Sequence, residues 1–142
     1  GYKLNLIPKA FVYHKRRLNL ERFFVQVYKF GQVRPILNKW HPHSKKLAYW
    51  FPTVFSIGLI ISLLLLILDF KWGLYMYSLY FLVLFLTALK TTTNFIASVL
   101  CIPAILIQFF GYGIGFLKVS VKLKLSRKSE LQLFPKLFFK TT

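Results

Sequence analysis

Residues able to do chemistry are few in this chain, and most of them crowd into its first third. His14, Lys15, Arg16 and Arg17 form one polar cluster, and Arg22, Gln26 and Lys29 follow at spacings of four and three, as one face of a helix would place them. Taken by themselves, such basic residues suit the phosphates of a lipid surface, which attracts each by about 1 kcal/mol. His41 and His43 sit two apart, as a metal pair could, but no acid accompanies them and a loop position fits them better. The one cysteine, Cys101, lies in an apolar stretch, which argues for packing and against a disulfide framework or a Cys-based metal site. Of the three acids, Glu21, Asp69 and Glu130, Asp69 stands beside Lys71 at the end of an apolar run. A solvated ion pair is the simpler reading there than an ion pathway, which needs a charge away from the ends of a span.

The elements that must position these residues begin with Gly1 to Tyr13, GYKLNLIPKAFVY, whose alternation reads as two short extended stretches broken at Pro8. Asn19 can then cap a helix through LERFFVQVYKF. Leu20, Phe23, Phe24, Val27 and Phe30 share its apolar face, and Arg22, Gln26 and Lys29 share another. Gly31 and Pro35 are expected to interrupt it, and Trp40 with HPHSKK leads onward. The pattern is that of an amphipathic helix lying in a membrane interface, apolar face down and basic face on phosphates.

Beyond it the chain is too apolar for a soluble domain, with 56% hydrophobic and 19% aromatic residues among 142. Leu47 to Leu68 is a run of 22 residues without a charge, long enough to cross about 30 Å of hydrocarbon. Gly73 to Leu89 is a second run, with Trp72, Tyr75, Tyr77 and Tyr80 gathered at its start, where amphipathic rings prefer the headgroup layer. Thr91 to Leu117 is a third, in which Pro103 is expected to kink the helix and Gly111, Gly113 and Gly115 to loosen its end. The expected fold is therefore a mainly α membrane protein. It has an interfacial helix and linker over 19–46, a membrane region over 47–117 with helices at about 50–69, 73–90 and 95–117, and a basic tail over 118–142.

Charge sets the orientation and also a conflict. The net charge is +17, with eleven Lys or Arg before the first span, seven after the third, and only Lys71 and Lys90 between. Basic flanks favour the cytoplasm, so both ends are expected there, whereas three complete crossings would separate them. Either the basic tail is translocated, or the segment containing Pro103 is re-entrant or lies along the interface. A nucleic-acid partner would suit the charge but explains neither the spans nor the aromatic-rich helix.

The order GYKLNLIPKAFVYHKRR, then RFFVQVYKFGQVR, then a Pro-containing step into helices ending FFGYGIGFL resembles the carboxy-terminal part of membrane-attached family 2 glycosyltransferases. Relatives of that type build bacterial exopolysaccharides and lipid-linked glycans. The family places a Gly-Tyr-Lys/Arg segment after the Glu-Asp motif of its GT-A domain, then a Val-x-His-x-x-Arg element and a Gln-x-Tyr helix ending in Gly-x-x-Arg. The resemblance spans nearly the whole chain. It implies that residues 1–18 are the end of a GT-A α/β domain and that the chain, which starts at Gly1, is a fragment of a longer enzyme.

What the resemblance implies about chemistry is transfer of a sugar from a nucleotide-sugar donor to a lipid-linked or polysaccharide acceptor. A divalent metal, Mg or Mn, neutralises the leaving diphosphate while a carboxylate deprotonates the acceptor. None of the three acids matches the metal-binding Asp-x-Asp or the base, so no catalytic residue is expected in this segment, and alone it should be inactive. His14 corresponds to a histidine that can ligate the metal in related enzymes, or else orients a hydrogen bond. Arg16 and Arg17 correspond to diphosphate contacts, for which the guanidinium fork is suited, or else hold lipid headgroups. Gln26, Lys29 and Arg34 are implied to meet substrate. Gln26 and Lys29 stand where processive relatives carry Gln-x-x-Arg-Trp, but QVYKF has Lys29 for the Arg and Phe30 for the Trp, which speaks against processivity. The implied location is a bacterial inner membrane, multi-pass, with the N-terminal segment cytoplasmic and anionic lipids as neighbours. The competing reading is non-enzymatic: a small basic membrane subunit that scaffolds a partner or binds anionic lipid.

Overall fold

The computed structural model describes residues 19–138, so the expected extended segments of residues 1–18, with His14, Arg16 and Arg17, lie outside the described residues. The described chain is helical, with no strand: α1 Leu20–Trp40, α2 Phe51–Leu65, α3 Trp72–Thr92, α4 Phe95–Leu125, and two single-turn helices, α5 Glu130–Leu133 and α6 Pro135–Phe138. Short 3-10 turns at Leu47–Trp50 and Leu66–Leu68 extend α2 over the whole apolar run. That stretch, α3 and α4 are the three helices long and apolar enough to cross a membrane. Most of their large apolar side chains are exposed, Ile67 82% and Met76 68% among them, as lipid-facing residues of a membrane bundle would be.

Helix α1 starts where the sequence predicts. Asn19 is extended, and its side-chain oxygen accepts from the Glu21 N–H at 2.7 Å. Its continuation corrects the sequence reading, because Gly31 and Pro35 do not interrupt it. They form part of its buried seam, with Val27 and Ile36. Gly31 lies against the backbone of α4, where a Cβ would run into the Tyr112 carbonyl. Proline costs a helix one N–H bond, and here the packing of that face outweighs the loss. The expected apolar face is also only partly the packed one. Val27 is buried, but Leu20, Phe24 and Phe30 stay exposed, so α1 presents one apolar seam to protein and another outward.

The glycines of α4 tighten the structure where loosening was expected. Gly111 meets Val27 and Phe24, Gly115 meets the Tyr28 carbonyl, and Gly113 faces the backbone of Pro52 and Thr53. Glycines four apart thus admit α1 on one side, and the one between them admits α2 on the other, the close approach that small residues allow between membrane helices. Helix α4 runs unbroken through Pro103 and continues to Leu125, so Lys118, Lys122 and Lys124 stand on helix and not in a tail. Its 31 residues reach about 46 Å.

The contacts fix directions. Phe24 and Val27 meet Gly111, Gly31 meets Tyr112, and Ile36 packs with Val119, so α1 and α4 run parallel. Helices α2 and α3 form an antiparallel hairpin turned at Asp69, which is left-handed with φ 57°. Within it the Tyr77 hydroxyl donates to the Phe55 carbonyl at 2.9 Å. Trp50, at the start of α2, meets the edge of Phe116 with ring centroids 4.9 Å apart. The tail then folds back: Phe134 joins Ile36 and Val119 in the core, Lys39 pairs with Glu130, and Trp40 and Phe138 lie 5.8 Å apart. The chain entering α2 and the chain leaving α4 therefore share one end of the molecule. Three successive complete crossings would hold Trp50 and Phe116 a membrane thickness apart.

Candidate functional site

Where α1 passes the start of α2 and the middle of α4, a cavity of about 520 Å³ opens. That is within the range of small-ligand sites. Val27, Phe30, Val33 and Leu37 form the α1 wall, Ala48, Tyr49 and Pro52 the α2 wall, and Gln108 and Tyr112 the α4 wall. The lining is mostly apolar, and its one formal charge is Arg34.

Arg34 is fixed there by the fold. It stands one turn beyond the Gly31 contact, so the closeness of α1 to α4 sets its height, and its guanidinium carbon lies 4.2 Å over the Tyr49 ring. Such stacking holds a cation by about 0.5–2 kcal/mol and fixes the plane of the fork. Around it, Gln108 adds an amide and Tyr49 and Tyr112 add hydroxyls, so polar groups converge on an otherwise apolar space. Chemically, the arrangement can receive an amphiphile whose anionic or polyhydroxyl end meets Arg34.

The other sequence-derived candidates are placed differently. Gln26 is half-buried and Lys29 exposed on α1, and neither lines the cavity. The structure therefore brings Arg34 to a cavity and leaves Gln26 and Lys29 further along the same helix. His41 and His43 are exposed around the turn Pro42–Ser44. No group of three His, Cys, Asp or Glu among the described residues could hold a metal ion. Asp69 pairs with Lys71 at 2.7 Å, Glu130 pairs with Lys39, and Glu21 stands apart from both in the first turn of α1. A divalent ion does not fit the residues described.

Sequence reasoning passed over Tyr49, Gln108 and Tyr112. Two signals were present: a Tyr-Trp pair near the start of an apolar run, and an amide, Gln108, deep inside an uncharged stretch. Comparison with protein families, curated proteins and solved structures finds no match for this chain.

Proposed function

We propose that this chain is the membrane-anchoring carboxy-terminal segment of a glycosyltransferase that moves a sugar from a nucleotide-sugar to a membrane-associated glycan or lipid acceptor. The observation that carries the reading is the setting of Arg34, the last residue of the RFFVQVYKFGQVR element in the motif order that resembles family 2 enzymes. It is stacked on Tyr49 and faces an apolar cavity at the junction of three helices. An acceptor with an apolar anchor and a hydroxyl-rich or phosphorylated head matches both kinds of lining. Under this reading the residues before Leu47 face the cytoplasm, where nucleotide-sugars are. The metal, the metal-binding acids and the general base belong to the rest of the parent enzyme. The role of this segment is to position the acceptor and hold the reaction at the membrane surface.

Arg34→Lys and Gln26→Ala, made in the intact parent enzyme, test it. Lysine keeps the charge but loses the planar fork, so a site contact should cost about 2–4 kcal/mol, or roughly 30- to 1,000-fold in rate. Both variants are expected to insert normally and to turn over at least tenfold more slowly, with Arg34→Lys the more affected. Full activity in both would leave α1 as an anchor and return the chain to the reading of a basic membrane subunit.

A further inference from the structure

A second cleft, of about 470 Å³, lies against the last two turns of α1. Lys39, Lys45 and Lys124 come to it from α1, from the linker and from the end of α4, and Trp50 and Phe116 give it an apolar wall. We propose that this cleft binds the headgroup of one anionic phospholipid, with its phosphate on Lys45 and Lys124 and a headgroup hydroxyl on Asn38. The proposal does not rest on the transferase reading.

Two independent observations carry it. The first is charge that the chain cannot neutralise itself. It has three acids in all: Glu130 is committed to Lys39, Asp69 to Lys71, and Glu21 stands in the first turn of α1, away from the cleft, so among the described residues Lys45 and Lys124 have no carboxylate partner. Two ammonium groups converging on one cleft call for an anion, and compact point charges suit phosphate. The second is the Asn38 carboxamide, which lines the same cleft and whose Oδ1 is buried without a hydrogen-bond partner among the described residues. A buried acceptor without a donor is unfavourable; as placed the oxygen is closed off from the cleft, and a turn of the side chain about its soft terminal torsion would bring it to a hydroxyl beside the phosphate. The amide turned over would instead donate to the phosphate.

The lipid source follows from the place. Trp50 sits near the start of the first charge-free run, and its ring packs on Phe116, so the cleft stands where apolar helix meets basic flank. Acyl chains leaving the headgroup there have the exposed apolar surface of the spans to follow. A helix C-terminus also favours lysines by itself, so the test must separate a built site from scattered charge.

The full chain in detergent, titrated with phosphatidylglycerol and read by native mass spectrometry, should retain one lipid in preference to phosphatidylcholine. Lys45→Gln with Lys124→Gln is expected to weaken retention at least tenfold, and Asn38→Ala several-fold. Lys118→Gln with Lys128→Gln, which removes two exposed lysines outside the cleft, should change it by less than twofold. Equal losses in the two double variants, or unchanged retention in Asn38→Ala, would overturn the site in favour of generic surface charge. Displacement of the lipid by millimolar inorganic phosphate would overturn its assignment to a lipid. Circular dichroism and elution volume check that each variant keeps its fold.

Discussion

A hydrogen atom in place of a side chain governs how near α1 comes to α4. At Gly31 an added Cβ would meet the Tyr112 carbonyl, and at Gly58 it would meet the Tyr77 hydroxyl at 2.5 Å. The two differ in what can give way. A carbonyl inside α4 moves only with its helix, whereas a tyrosine tip swings aside at the cost of its bond to Phe55. Gly31→Ala is therefore expected to destabilise the chain by about 1–3 kcal/mol, the usual range for overpacking, and Gly58→Ala by less. Thermal unfolding of both variants in detergent, followed by circular dichroism, checks the order. Arg34 inherits the effect, because a spread seam would lift it away from Tyr49. Under the proposed function, Gly31→Ala should thus slow turnover without touching substrate.

Among elements, the tail over α5 and α6 is held by few contacts, and one of them titrates. Ser129 caps α5 through a reciprocal bond with Gln132. The Lys39 ammonium, hydrogen-bonded to Glu130, holds that carboxyl below its ordinary range, with a backbone N–H assisting. A lowered folded value means that the contribution is complete above the ordinary carboxylate range and is lost as pH falls through the lowered one. Docking of the tail should be indifferent to pH near neutrality and loosen in acid. Glu130→Gln should loosen it at neutral pH and remove that acid dependence. Hydrogen exchange over residues 129–138 measures both. None of this docking was legible in the sequence, because Lys39 and Glu130 are far apart in the chain and nothing local pairs them. The three apolar helices were legible, since freedom from charge over a span is a property of the run itself. Continuity of α1 was not, because Gly31 and Pro35 oppose helix locally and their burial against α4 is decided by neighbours, and nor was the extension of α4 from Leu117 to Leu125. The candidate site divides the same way. Arg34 stands out through motif order, while Tyr49, Gln108 and Tyr112 come from other elements and meet it only in the fold.

For the whole molecule, the decisive fact is that both basic flanks meet at one end. Lys45 and Lys124 line the same cleft, and Trp40 reaches Phe138. The bias of basic residues toward one side of a membrane asks for the same arrangement. Ser44→Cys and Ser129→Cys, each in a Cys101→Ala background, are therefore expected to label from the same side of sealed membranes. Opposite labelling would require α4 to cross completely and the Trp50–Phe116 contact to be broken in the bilayer.

The parallel pairing of α1 with α4 also sets an order of events during synthesis. Gly31 leaves the ribosome long before Tyr112, and at about 5–20 residues per second the interval is roughly 4–16 s. Throughout it the hairpin of α2 and α3 can insert and pack on itself, while α1 has no partner for Val27, Gly31 and Ile36. The surface that later meets α4 must meanwhile rest on lipid or on another protein, and α4, made later, locks α1 in place. Chains halted before Gly111 should carry an unlocked α1, and whatever α1 holds in position is assembled only when translation of α4 is complete.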